Sequence, residues 1–170
     1  LLENKNINID NYMEDILKYK ELVLEWNKKF NLTAIIEDEE FNIKHLYDCL
    51  LLLKADEIIN AKTIVDVGTG AGFPGIVLAI CLPNTEFTLV DSVNKKVRFL
   101  DIVVEELNLK NVQTIHGRSE ELARDEKYRD NFDVCVSRAV ASLDTLSEYC
   151  LPFVKKNWYF ISMKGSKAEE

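Results

Sequence analysis

Gly68, Gly70, Gly72 and Gly75 follow one another inside Thr63 to Ile80, TIVDVGTGAGFPGIVLAI, and no other stretch restricts the fold of this chain so tightly. Ile64, Val65, Asp66 and Val67 lead into the glycines and an apolar run follows from Ile76, which predicts a strand, a tight turn and a helix. Glycine at such a junction permits positive φ and lets a ligand lie against bare backbone, while the helix start presents N–H groups without helical partners. The expected guest is a nucleotide-like cofactor.

From Thr63 onward strand and helix patterns alternate. Strands are expected at Thr63 to Val67, Phe87 to Asp91, Val112 to His116, Phe132 to Val136 and Trp158 to Met163. Helices are expected between them at Gly75 to Cys81, Lys95 to Leu107, Ser119 to Arg124 and Leu143 to Tyr149. Such alternation with short loops implies a parallel sheet with helices on both faces, and apolar runs such as FDVCVS suit strands buried on both sides. Ahead of this α/β core, taken as residues 61–170, residues 1–60 read as a helical extension. Ile16, Tyr19, Val23, Trp26 and Phe30 make one amphipathic stripe, Asp38 is a candidate N-cap for a second helix, and ADEIINA reads as a connector. A doubly wound sheet usually continues past a fifth strand, so further strands are expected beyond Glu170.

At 170 residues with 47% hydrophobic positions the chain can bury one substantial core. It contains no apolar run long enough to span a bilayer, and LLENKNINIDNYMED lacks a signal-peptide pattern, so a cytoplasmic protein is expected. Cys49, Cys81, Cys135 and Cys150 are widely spaced among apolar neighbours and read as buried free thiols, with no metal site. A net charge of -8 argues against indiscriminate nucleic-acid binding but leaves a shaped RNA site open. The positive charge is grouped, at Lys28 and Lys29, at Lys95, Lys96 and Arg98, at Lys155 and Lys156, and at Lys164 and Lys167.

Gly70-Ala-Gly72-Phe-Pro-Gly75 satisfies G-x-G-x-x-G, which alone would suggest a dinucleotide. Three features favour S-adenosyl-L-methionine instead. The glycines begin one step earlier, at Gly68, behind an acidic Asp66 that can hold loop amides or a cofactor ammonium and would repel a pyrophosphate. Phe73 and Pro74 occupy the turn where a pyrophosphate needs open backbone. No Arg or Lys lies between Thr63 and Phe87 to balance two phosphates. Asp91, 23 positions after Gly68 and followed by Ser92, stands where a carboxylate accepts from ribose hydroxyls; a helix cap near Asn94 is the alternative. Ser119 and Glu120, after the third strand, stand where an adenine is expected, with a helix cap again the alternative. Arg138 ends an apolar strand at the same edge, aimed at the cofactor or substrate, or paired with Asp66 or Glu120. His45 and His116 form no triad or metal set and read as structural.

WNKKFNLTAI, HLYDCL, DVGTGAGFPGIVLA, VDSVNKKVRFL, HGRSEEL and FDVCVSRAVASL, in this order, resemble the bacterial small-subunit ribosomal RNA guanine-N7 methyltransferase family, also called glucose-inhibited division protein B, from about Tyr19 to Gly165. The resemblance implies a class I S-adenosylmethionine-dependent methyltransferase fold, Rossmann-like with an N-terminal helical cap, acting in the cytoplasm on 16S rRNA of the small subunit. It implies cofactor contacts at Gly68, Phe73, Asp91, Ser119, Glu120 and Arg138. Asn31, Thr33, His45 and Lys164 are substrate-side candidates because the cap and the fifth strand should flank the cofactor's methyl group; Asn31 and Thr33 could equally fix a turn. A monomer is expected. The rival readings are a methyltransferase of a small molecule or protein, an NAD-dependent oxidoreductase, and an RNA-binding assembly factor without activity.

Overall fold

The computed structural model describes residues 7–138 and 142–163. Its centre is a parallel five-stranded sheet in the order β3-β2-β1-β4-β5, built from β1 (Thr63–Val67), β2 (Glu86–Asp91), β3 (Val112–His116), β4 (Phe132–Arg138) and β5 (Val154–Met163). The chain leaves β1 toward β2 and β3, then returns to the other side of β1 for β4 and β5. The strand order therefore reverses between β1 and β4, and ligands of open parallel sheets bind at such a reversal, beyond the carboxyl ends of the strands.

Alternation along the strands divides the core in two. Ile64, Phe87, Leu89, Val134 and Val136 face one hydrophobic cluster, which they share with α1 (Met13–Asn27), α5 (Gly75–Cys81) and α6 (Asn94–Glu106). Val65, Val67, Val90 and Cys135 face the other, covered by α7 (Ser119–Leu122) through Leu122, by α8 (Leu143–Cys150) through Leu146 and Cys150, and by Phe153. All four cysteines are free and buried.

The N-terminal helices pack onto the first face. Ile16, Tyr19 and Val23 of α1 are buried, while Trp26 and Phe30 are only partly so, and α1 ends at Asn27, short of Phe30. Lys20 is buried beside them and reaches Asp38 Oδ1 at 2.5 Å and Asn42 Oδ1 at 2.7 Å, tying α1 to the next helical run. That run comprises α2 (Asp38–Phe41), a π-helical turn at Asn42–Tyr47, α3 (Asp48–Leu51) and a 3-10 turn at Leu52–Lys54.

Several elements depart from the sequence reading, most by one or two residues at an end. Glu37, not Asp38, caps α2, since its carboxylate accepts from the Glu39 and Glu40 amides. ADEIINA contains a short helix, α4 (Asp56–Asn60), that buries Ile58; five residues are too few to display a period. Strand β4 runs on to Arg138. Strand β5 begins at Val154, because Lys155, Lys156 and Asn157 belong to a largely solvent-facing strand whose pattern is polar. Among the described residues no helix is long and apolar enough to cross a membrane, and no group of three or more His, Cys, Asp or Glu could hold a metal ion.

Candidate functional site

The glycine turn is held by its own hydrogen bonds. Gly68, Gly70 and Gly72 have φ of 69°, 63° and 106°, in the region that favours glycine. The amides of Gly68 and Thr69 donate to Val90 O, those of Gly72 and Phe73 to Thr69 O, and that of Gly70 to Asp91 Oδ2. Asp66 is fully buried, and its Oδ2 accepts from the Thr69 hydroxyl and the Gly75 amide, both at 2.8 Å. The helix start expected to greet a ligand is thus engaged by Asp66. Burial pushes the Asp66 carboxyl up to about 7 against the pull of those two donors, and its Oδ1 is buried with no hydrogen-bond partner. With these amides directed inward, the loop offers no nest of N–H groups for a pyrophosphate.

Asp91 joins the two halves of the site. Its Oδ1 accepts from the Val93 amide at 2.8 Å and its Oδ2 from Gly70, so it fixes the β2 exit to the glycine loop. Helix α6 takes Val93 as N-cap with no side-chain bond, which removes the capping alternative for Asp91 at that helix. Each carboxylate oxygen retains a lone pair, enough to accept from vicinal hydroxyls. On the far side, the Ser119 hydroxyl donates to Glu120 Oε2 at 3.1 Å; the Glu120 backbone amide and Ser119 hold that carboxyl below its usual range.

The third part of the site is a junction that the sequence distributes over four segments. Arg138, at the end of β4, donates from Nη1 to Lys44 O at 3.0 Å and from Nη2 to His45 Nδ1 at 2.8 Å. His45 Nε2 lies 2.7 Å from Thr33 Oγ1. The His45 ring stacks on Phe73 with centroids 4.4 Å apart and 9° between planes, and the Arg138 guanidinium lies 5.0 Å from the Phe73 centroid. Thr33 is placed by Asn27, whose Oδ1 accepts from the Leu32 and Thr33 amides. Because Nδ1 accepts from a guanidinium, the imidazole is neutral with its proton on Nε2; burial and then Arg138 push it down to about 4. Arg138 pairs with neither Asp66 nor Glu120, as the sequence reading had allowed, but fastens the N-terminal helices to the sheet edge.

Two adjoining chambers follow from this framework. One of about 380 Å³ is lined by Thr33, His45, Gly68, Gly70, Phe73 and Arg138, together with Asp91 and Ser92. The other, of about 290 Å³, is lined by Gly68, Asp91, Ser92, Ser119, Glu120 and Tyr149, so Gly68, Asp91 and Ser92 serve both. A Cβ on Gly70 would meet nothing within 4 Å, so bare backbone opens onto the first chamber. A crevice in two compartments, with a carboxylate at the waist and no phosphate nest, fits a nucleoside carrying an uncharged or cationic tail.

The expected residues do not all line it. Asp66 and Gly72 lie behind the loop: a Cβ on Gly72 would come within 2.6 Å of Ile76 Cγ1 and 2.8 Å of Tyr19 Oη, so this glycine serves packing and lines neither chamber. Asn31 is exposed and likewise lines neither. Lys164 lies outside the described residues. His116 contacts Ser92 O at 3.1 Å and has a structural place. Sequence reasoning missed Tyr19, whose hydroxyl donates to Ala71 O at 2.7 Å and braces the loop, and Lys96 and Tyr149, which line the chambers. The stripe containing Tyr19 was visible, but nothing in it marked one tyrosine as a loop contact.

A parallel sheet with this reversal, a braced glycine loop and an acidic residue closing β2 define a class I S-adenosylmethionine-dependent methyltransferase fold. Solved structures agree on the fold: a putative O-methyltransferase from Klebsiella pneumoniae has a TM-score of 0.62 at 18% identity, covering 91% of this chain and 70% of its own. A SAM dependent methyltransferase from Aquifex aeolicus has a TM-score of 0.56 at 23% identity, covering 74% and 68%. Within that class the chain belongs to the GidB family, rRNA small subunit methyltransferase G, whose model matches residues 12–170. Relatives named ribosomal RNA small subunit methyltransferase G include that of Clostridium botulinum strain 657, 52% identical over 161 residues, covering 95% of this chain and 67% of the relative. That of Clostridium perfringens strain 13 is 54% identical over 163 residues, covering 96% and 68%.

Proposed function

We propose that this protein is a methyltransferase that moves the methyl group of S-adenosylmethionine to N7 of a guanine in 16S rRNA of the small subunit. The observation that carries the reading is the junction of Thr33, His45, Phe73 and Arg138, which brings the NLTAI and HLYDCL segments onto the glycine loop. The glycine loop alone would serve a methyltransferase of any substrate. Family membership supports the same substrate.

When bound, the cofactor supplies an activated methyl on a sulfonium. Gly68, Gly70, Phe73, Asp91, Ser92, Ser119, Glu120 and Arg138 are the residues that would hold it, with Asp91 taking the ribose hydroxyls and the second chamber the adenine. Asp66 and Gly72 act one layer back, fixing the loop. Guanine N7 has an in-plane lone pair and no proton, so its attack needs no general base. That requirement matches a chamber where both ring nitrogens of His45 are engaged, both Asp91 oxygens hold amides and Asp66 is buried. The protein then contributes position and the exclusion of water. The N7 edge lies in the deep groove of A-form RNA, so the guanine must be met in a loop or turned out of its stack. We place this activity in the cytoplasm, carried out by a monomer.

The test is transfer of label from methyl-tritiated S-adenosylmethionine to deproteinised 16S rRNA, to small subunits and to a small-molecule panel, followed by nucleoside digestion. Label in 7-methylguanosine from either RNA sample is expected. Label confined to the small-molecule panel would overturn the reading.

A further inference from the structure

Beside the mouth of the first chamber, two lysines and two aromatic rings form a continuous ladder. Lys29 Nζ stands 4.4 Å from the Trp26 ring centroid, Trp26 stacks on Phe30 at 5.7 Å with 21° between planes, and Lys95 Nζ stands 5.8 Å from the Phe30 centroid. Trp26 comes from the last turn of α1, Phe30 from the loop after it, and Lys95 from the first turn of α6. Trp26 is braced from below by Phe99 at 6.1 Å. The ladder is continuous with the crevice: Lys96, next to Lys95, lines the first chamber, as do Leu32 and Thr33 just after Phe30. Glu25 lies 3.4 Å from Lys29, but both side chains are more than half exposed, and such a pair leaves the lysine available to another anion. On a chain of net charge -8 this is a selective placement of cations.

A stacked pair of rings with a cation at each end offers an unpaired nucleic acid strand both apolar surface for a base and charge for the flanking phosphates, where stacking and charge neutralisation act together. We propose that the Lys29, Trp26, Phe30, Lys95 ladder is the track on which the unpaired RNA flanking the target guanine docks, with phosphates at the two lysines and a base against the rings. This inference rests on RNA being the substrate. The competing role for the lysines, covering ring carbons with their aliphatic stems, needs no charge.

The test uses deproteinised 16S rRNA and measures affinity over a range of salt for three proteins. These are the unmodified protein, the Lys29→Gln/Lys95→Gln double variant, and a Lys110→Gln/Lys127→Gln control at the amino-terminal edge of the sheet. Losing two phosphate contacts on a single strand reduces the steepness of the negative slope of log affinity against log salt by about 1.4. The double variant is expected to show that decrease and roughly tenfold weaker binding at low salt, with adenosylhomocysteine affinity unchanged by calorimetry and the control keeping the original slope. An unchanged slope in the double variant, an equal decrease in the control, or a loss of adenosylhomocysteine affinity would each overturn the track. Failure of the unmodified protein to bind the RNA at all would remove the RNA reading itself, and the track with it.

Discussion

Arg138 Nη2 lies 2.8 Å from His45 Nδ1, and this contact helps fasten the π-helical turn of the N-terminal region to the end of β4, beside the crevice. The same guanidinium reaches Lys44 O and lies over Phe73, so it positions the loop while facing the chamber. Hydrogen bonds from a charged donor contribute about 1.5 to 3 kcal/mol each. Arg138 also lines the first chamber, and one such bond from it to the cofactor would be of that size, so Arg138→Ala is expected to weaken adenosylhomocysteine binding at least tenfold by calorimetry. Arg138→Lys should rescue little, because one ammonium cannot reproduce the two-pronged contact. Unchanged affinity in the alanine variant would remove Arg138 from the site.

His45 should report the same junction by its titration. Its folded value of about 4 lies below the ordinary 6.5. The stability contributed by the neutral ring is therefore present above about 6.5 and is lost as pH falls toward 4. In an NMR titration His45 should change charge near 4, and in Arg138→Met its midpoint should rise part of the way toward 6.5, since burial, the larger cause, remains. A wild-type midpoint near 6.5 would contradict the neutral, doubly bonded imidazole.

Asp66 works in the opposite sense. Its folded value of about 7 is above the ordinary 3.8, so the associated stability is fully present below about 3.8 and is lost as pH rises through 7. Asp66→Asn keeps an acceptor for Thr69 and Gly75 and removes the charge. Relative to the unmodified protein it should gain on the order of 2 kcal/mol between pH 5 and pH 7.5 in denaturant unfolding. Parallel pH profiles would show that the buried carboxyl is ionised without penalty.

The loop glycines separate packing from access. Gly72→Ala places a Cβ 2.6 Å from Ile76 Cγ1 at a φ of 106°, and should cost about 3 kcal/mol or more in chemical denaturation. Gly70→Ala has open space around it and only its φ of 63° to resist, costing about 1 to 2 kcal/mol while projecting a methyl into the chamber. Its larger effect should fall on adenosylhomocysteine affinity. Equal stability losses would mean that the two glycines do not differ as described.

Much of this was legible because segments buried on every side write themselves as apolar runs: β1 and α5 occupy the expected residues, and the half-buried edge strand β3 does so as well through its alternation. Strand β5 was clipped at its start because a largely exposed strand carries polar residues, and α4 was missed because a single turn has no period. In the site, Asp91 and Arg138 were visible as polar residues closing apolar strands. Their partners were not, since Arg138 meets His45 across 93 positions and Tyr19 meets Ala71 across 52, and no local pattern encodes such pairs. Gly72 was misplaced for a related reason: a turn motif records that a side chain is forbidden, but not whether a ligand or Tyr19 forbids it.

The choice of cofactor is read most directly by calorimetric titration of the protein with adenosylhomocysteine and, separately, with NAD. The glycine loop directs its amides inward and keeps Asp91 at the waist of two chambers, so saturable one-to-one binding of adenosylhomocysteine and no heat from NAD are expected. NAD binding as tight as adenosylhomocysteine, or tighter, would contradict it.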